Sequence, residues 1–350
     1  MSGHNRSGDR LARFADPDRM GVLIGIVLLI TAGTFVFAPT LVGYPLVALV
    51  VVVLSGWLRR QAATARSLAL AATVATVLVL GLITIYLLVK SIPAFRTMGL
   101  DIIVKGEPFW KPNSGVFSLV PMIWGTVITT LIATLIAGPL GVAGAVFIAE
   151  MAPGWARGAL KPAVEALAGI PSIVYGFIGF TVLSPFMSDN FGLPTLGSLL
   201  VVGVVIGAMA LPTVVSVAED AIDNVPGAMK DGSLALGATD WQTTTDVTLP
   251  AAFSGVSAAV LLGVGRAVGE TMAATVILAN VTELPDPLFD VFGNTITLTS
   301  LIASQYGIAS GTHLSALFAA GVVLFVTVLV LSLGSQYVER RMQRVVGGEE

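Results

Sequence analysis

The sequence predicts an all-α polytopic membrane protein of about eight transmembrane helices, on two observations: charge is scarce, and the uncharged runs have the length of membrane spans. Of 350 residues, 55% are apolar and 11% are Asp, Glu, Lys or Arg, whereas a soluble domain carries about 25% charged residues. Mean hydropathy is +0.91. Too few charges remain to cover a water-facing surface. A hydrocarbon layer of ~30 Å takes about 20 residues of helix. Nearly uncharged runs of about that size lie at residues 20–38, 41–58, 67–89, 119–148, 162–186, 196–218, 251–278 and 314–338.

Taken in order, the first two runs are parted only by Pro39 and Thr40 and form a tight N-terminal hairpin, 20–58, behind a polar arm, 1–19. The first run does not read as a signal peptide, since Phe-Ala-Pro-Thr lacks the small-x-small cleavage pattern. The third run leads into residues 93–118, an external loop with turns and aromatic anchors at the membrane interface. In the fourth, Pro139 is expected to kink the helix, and small residues from Gly138 to Ala145 let backbones approach in lipid. Thr126, Thr129 and Thr130 are expected to bond their own helix backbone. In the fifth, Pro171 interrupts the helix, and Glu165 near its start reaches the interface. The seventh ends at Asn280, read as a cap.

Orientation follows from Lys and Arg. With the N-terminus inside, Arg6, Arg10, Arg13, Arg19, Arg59, Arg60, Arg66, Arg157, Lys161, Lys230, Arg340, Arg341 and Arg344 face the cytoplasm, and Lys90, Arg96, Lys105 and Lys111 face out. Both termini are then cytoplasmic. The chain is expected in the plasma membrane, crossing it many times. The formal net charge of −3 supplies no basic field for nucleic acid. Cysteine is absent and there are two histidines, His4 and His313, the latter isolated near a membrane edge. No thiol nucleophile, zinc cage or haem site can be assembled.

Between the sixth and seventh runs, residues 219–246 hold Glu219, Asp220, Asp223, Asp231, Asp240 and Asp246. Thr239, Asp240, Trp241 and Gln242 read as a cap and helix start. Met229, Leu234 and Leu236 lie on a preceding amphipathic piece. Such a helix pair on the cytoplasmic side can present a knob to a soluble partner.

These residues resemble the EAA loop of binding-protein-dependent ABC importer permeases, E-A-A-x3-G-x9-I-x-L-P. Asp231, Gly232 and Ser233 stand at its first three letters, followed at the matching spacing by Gly237, Val247, Leu249 and Pro250. The resemblance implies that 219–250 is a coupling loop docking into the ATP-binding subunit. This chain supplies no P-loop of its own, because none of its five lysines follows a glycine. ATP and Mg are therefore expected in a partner ATPase dimer, with no cofactor held by this chain.

Two further stretches resemble the PstC-type permease of the phosphate-specific importer. One runs from Glu165 through Gly169, Ile170, Pro171, Ser172 and Tyr175 to Gly176. The other runs from Gly263 through Arg266, Gly269, Glu270, Thr271 and Met272 to Ala273. The resemblance covers 67–344, a six-helix permease domain. It implies a companion PstA-type permease, an extracytoplasmic phosphate-binding protein and phosphate as cargo. The chain would then be a transporter subunit and not an enzyme.

Arg266 and Glu270 also stand out physically. They are the full charges of the seventh run, each costing roughly 2.5–3.5 kcal/mol at a helix centre. Four residues apart on a helix, they share a face and can pair. Either they line an aqueous path or they fix helix packing. Arg266 suits a tetrahedral oxyanion through its fork of donors, with Glu270 holding it when the substrate is absent. Ser172 and Tyr175 either donate to the passing anion beside Pro171 or are satisfied by neighbouring helices. Of other function classes, an ion-coupled secondary transporter of an oxyanion would titrate Glu270 but leave the loop at 219–250 without a role. An intramembrane enzyme lacks its chemistry. A sensor that signals phosphate status without moving it would tolerate loss of Arg266.

Overall fold

The computed structural model describes residues 19–192 and 197–346. The polar arm, except for Arg19, lies outside the described residues, as does Leu196 at the expected start of the sixth span. The chain divides between Tyr86 and Leu87 into two compact units.

In the first unit, α1 (Arg19–Phe37) and α2 (Gly43–Arg59) form the hairpin that Pro39 dictates, through a 3-10 turn at Pro39–Leu41. Proline fits the first turn of a helix, where its missing N–H costs nothing. Their apolar stretches fall short of a full span. Next comes α3 (Gln61–Met98), longer than the expected 67–89, continuing through Pro93. Gly21 brings α1 onto it: a Cβ there would lie 2.7 Å from Ser67 Oγ.

The second unit is a helical bundle with α7 (Leu199–Asp223) at its centre. Ser198 caps this helix by accepting from the Val201 N–H at 3.2 Å. α4 (Val120–Val146) flanks it and ends in a π-turn, Phe147–Met151. α9 (Asp240–Val268) packs against both α7 and α4. Glycines permit the close approach. A Cβ at Gly203 would meet Ile132 at 2.6 Å, one at Gly141 would meet Val214 at 2.7 Å, and one at Gly263 would meet Val214 at 2.5 Å. Small residues are what bring helices together where the lipid removes any hydrophobic gain.

Among the described residues, five helices are long and apolar enough to cross a membrane: Gln61–Met98, Val120–Met151, Leu199–Asp223, Asp240–Val268 and Gly311–Gly334. The last is the apolar part of α12 (Gly311–Val346). The expected fifth span is two helices, α5 (Gly154–Ala168) and α6 (Ser172–Phe191), bent by 88° at their junction. Pro171 lacks the N–H that would continue the ladder and pushes Ile170 out of helical conformation. α8 (Gly227–Ala235) precedes α9. After α9 come the short α10 (Met272–Ile277) and, beyond a long loop, α11 (Leu298–Gln305).

Four expectations need correction. The seventh run, 251–278, is not one helix: α9 stops at Val268 and α10 starts at Met272. The aromatic residues of 93–118 are not interface anchors. Phe109, Trp110 and Phe117 are all buried, in and beside the hairpin β1 (Trp110–Lys111) and β2 (Val116–Phe117). His313 is not isolated either: it stacks on Phe117 and makes a 2.8 Å hydrogen bond with Gln305 Oε1, which also accepts from Trp110 Nε1. Asn280 lies past the end of α10 in left-handed conformation, φ 56°, and does not cap it.

Candidate functional site

Two groups of residues stand at opposite ends of α9. At its start, α8 ends where Gly237 takes φ +90°, a conformation in which a side chain is strained. The Gly237 N–H donates to the Leu234 carbonyl at 2.9 Å and that of Ala238 to Ser233 at 3.3 Å, closing the helix end. Thr239 and Gln242 then form a capping box for α9. Thr243 Oγ1 donates to Ser233 Oγ at 3.0 Å and ties the two helices. Met229, Leu234, Leu236 and Trp241 are exposed, Leu236 by 91%. Asp231 and Gly232 are exposed beside them, whereas Val247, Leu249 and Pro250 are half-buried further along α9. Glu219, Asp220 and Asp223, expected in a polar loop, occupy the last turns of α7. There Lys161 contacts Glu219 at 2.6 Å and Asp220 at 2.9 Å, and Arg157 faces Asp223 at 3.5 Å.

At the other end of α9, Arg266 lies in the last turn, half-buried. Its Nη1 donates to Thr213 Oγ1 on α7 at 2.8 Å. The close approach at Gly263 and Val214 sets that distance. Glu270 follows the helix end at Gly269 and is turned away from Arg266: its carboxylate accepts from the Ala273 N–H at 2.9 Å, serving an open donor at the start of α10. Its carbonyl accepts from Thr299 Oγ1 at 2.7 Å. The expected Arg266–Glu270 pair therefore does not form, because the helix that would align the two ends between them. Among the described residues, Thr213 is the one hydrogen-bond partner of Arg266, and no carboxylate neutralises it.

The segment with Ser172 and Tyr175 meets the segment with Glu270 directly. A Cβ at Gly176 would fall 2.7 Å from Ala273 Cα, and one at Gly179 would fall 2.6 Å from Ile277 Cδ1. Ser172 opens α6 behind Pro171 and is half-buried. Tyr175 reaches back across the bend and donates to the Leu167 carbonyl at 3.1 Å. Its hydroxyl is thus engaged in holding the bend.

Two contributors escape a reading by sequence. Thr213 is an ordinary hydroxyl in an apolar helix. Residues 294–300 fold back into the protein and are all buried, although they lie between the seventh and eighth uncharged runs. The alternating Thr295, Thr297 and Thr299 is the signal that was available. Thr126 Oγ1 accepts from the Leu298 N–H at 3.0 Å while donating to Met122, and Thr129 bonds Gly125, as expected of them. Thr130 differs: its hydroxyl is buried without a partner among the described residues. A buried hydroxyl without a partner is uncommon and asks for a reason.

Residues 139–344 match the family described as binding-protein-dependent transport system inner membrane component. The chain is 39% identical over 264 residues to the probable ABC transporter permease protein YqgH of Bacillus subtilis, covering 74% of this chain and 84% of the relative. It is 34% identical over 289 residues to the phosphate transport system permease protein PstC of Haemophilus influenzae, covering 77% and 90%. In fold it is similar to a chain of a bacterial alginate ABC transporter crystallised with its alginate-bound periplasmic protein. That likeness has a TM-score of 0.56 at 17% identity, over 82% of this chain and 99% of the other. A chain of the inward-facing MetNI methionine ABC transporter gives 0.53 at 20%, over 67% and 99%.

Proposed function

From the premise that the chain belongs to the family of binding-protein-dependent transport system inner membrane components, we propose that its cargo is phosphate and that Arg266 holds the anion in transit. The chain is a multi-pass membrane protein and the permease subunit of an importer, in a family without enzymes. Phosphate is supported by relatives that carry it in their names and resemble this chain over most of both lengths. The observation that carries the site is the charge of Arg266, which meets a neutral hydroxyl and no carboxylate. An uncompensated guanidinium among apolar helices attracts a tetrahedral oxyanion and offers it paired donors. Conduction requires that the anion also leave. The half-buried position of Arg266 and the Glu270 carboxylate beyond the helix end keep the site from becoming a trap. Ser172 lies on the segment packed against that end and adds a hydroxyl donor, while Tyr175 shapes the path by holding the bend.

The partners follow from the same reading. An extracytoplasmic binding protein delivers phosphate, a PstA-type companion completes the path, and a pair of ATP-binding subunits consumes ATP with Mg. This chain binds neither ATP nor Mg. The ATPase docks on the exposed Met229, Leu234, Leu236 and Trp241 around Asp231, Gly232, Ser233 and Gly237, with Val247, Leu249 and Pro250 carrying the displacement into α9. That end faces the cytoplasm, as the Lys and Arg distribution requires. The test is ATP-driven phosphate uptake by the complete importer in proteoliposomes. Arg266→Gln lowers uptake at least about tenfold, the loss expected for a hydrogen bond to a charged group, without releasing the ATPase. Unchanged uptake would sink the assignment.

A further inference from the structure

None of the residues of α8 is buried. Among the described residues, two side-chain hydrogen bonds tie it to other helices. Ser233 is tied to Thr243 at the start of α9. Lys230 Nζ reaches Glu150 Oε1 at 2.7 Å, with only 22% and 14% of the two side chains exposed. Glu150 belongs to the π-turn that ends α4, so α8 is fastened to two different helices of the bundle.

The π-turn is itself a fixed point. Its i→i+5 bond, from the Ala152 N–H to the Phe147 carbonyl at 2.8 Å, leaves carbonyls that an α-helix would have used. Arg157 on α5 takes two of them, donating through Nε to Ile148 at 2.9 Å and through Nη2 to Ala149. A pull on Glu150 therefore meets a turn that is braced rather than slack. It passes into α4, whose far end holds Leu298 through Thr126. Thr299, one residue on, holds the carbonyl of Glu270.

We infer that the Lys230–Glu150 ion pair is a strut that couples α8 to α4, giving a displacement of α8 a second route into the membrane beside α9. α9 carries the displacement to Arg266, and α4 carries it to the segment around Glu270. The two sides of the helix break are then moved by different helices, which opens or closes the gap between them. The inference rests on the reading of 227–250 as the ATPase-docking region. Lys230 and Glu150 act here as positioning residues that never touch the cargo.

The chain has no cysteine, so spin labels can be placed at A228C on α8 and L135C on α4, both exposed. The separation is measured in the complete importer, free of nucleotide and trapped with ATP and vanadate. With the strut intact, the distance distribution is the same in both states. In Glu150→Gln it shifts on trapping, and in the reversed pair Lys230→Glu with Glu150→Lys it is restored. Phosphate moved per ATP hydrolysed falls at least about fivefold in Glu150→Gln, within the usual range of coupling energies, and recovers in the reversed pair. A distance as insensitive to nucleotide in Glu150→Gln as in the parent overturns the strut, as does a reversed pair no better than Glu150→Gln. Failure of the ATPase to co-purify with the parent chain overturns the docking reading, and the strut with it. Co-purification without phosphate uptake by the parent chain overturns the cargo alone, leaving the distance measurement to decide the strut.

Discussion

The two ends of α9 lie about 40 Å apart at 1.5 Å per residue, and they are made in opposite ways. At its start the contacts that shape the turn are local. Gly237 turns the chain at φ +90°, and Thr239 and Gln242 cap the helix three residues apart. At its finish the contacts come from elsewhere: Thr213 of α7 takes Arg266, Thr299 takes the Glu270 carbonyl, and Gly176 of α6 packs on Ala273. An end built from its neighbours in sequence can serve as a rigid plug for a soluble subunit. An end built from three other helices responds when any of them moves, which is what a gate requires. Substitutions that strike each end separately test that division.

The largest effect is expected at the end built by other helices. Gly176→Leu places side-chain atoms where the Ala273 backbone stands, 2.7 Å from the position of a Cβ. Backbone cannot rotate away as a side chain can, so the cost is about 3 kcal/mol or more. The variant inserts but melts earlier in detergent and loses uptake. An unchanged melting temperature would mean that the two segments are not in contact.

Thr213→Val comes next. It keeps the shape of the side chain and removes the acceptor of Arg266, a hydrogen bond to a charged group worth about 1.5–3 kcal/mol. Uptake falls at low phosphate while the ATPase still co-purifies and hydrolyses ATP, because the docking end is untouched. If hydrolysis fell in parallel with uptake, the two ends would not be separable.

The same contrast explains what was legible in the sequence. Spans announce themselves by lack of charge, and the docking end by fixed spacing and by residues whose conformational needs are specific to them. The break after Val268 has no such mark. Gly269 has φ −83°, a conformation open to any residue, and nothing between Ala251 and Leu278 is charged except Arg266 and Glu270. The one hint was length, since that run is longer than the ~20 residues a span requires. Thr213 could not be singled out, because a hydroxyl in an apolar helix ordinarily bonds its own backbone and only the partner helix reveals otherwise. The bend at Pro171 was readable and its angle was not, since Gly176 and Gly179 choose the surface on which α6 lies.

The smallest effects sharpen the docking end, where two glycines five residues apart should respond with opposite sign. Gly237→Ala strains a residue held at φ +90°, costing about 1–2 kcal/mol, and loosens the turn that sets α8 against α9. Gly232→Ala meets no atom within 4 Å and lies inside α8, where Ala is favoured over Gly by about 0.5–1 kcal/mol. It also restores the alanine that the EAA pattern has at this position. Phosphate moved per ATP should therefore fall in the first variant and hold or rise slightly in the second, with uptake and hydrolysis measured on the same vesicles. A fall in both would mean that the docking surface requires a bare backbone at Gly232, and that the ATPase reads α8 by close contact there and not through the exposed Leu234, Leu236 and Trp241.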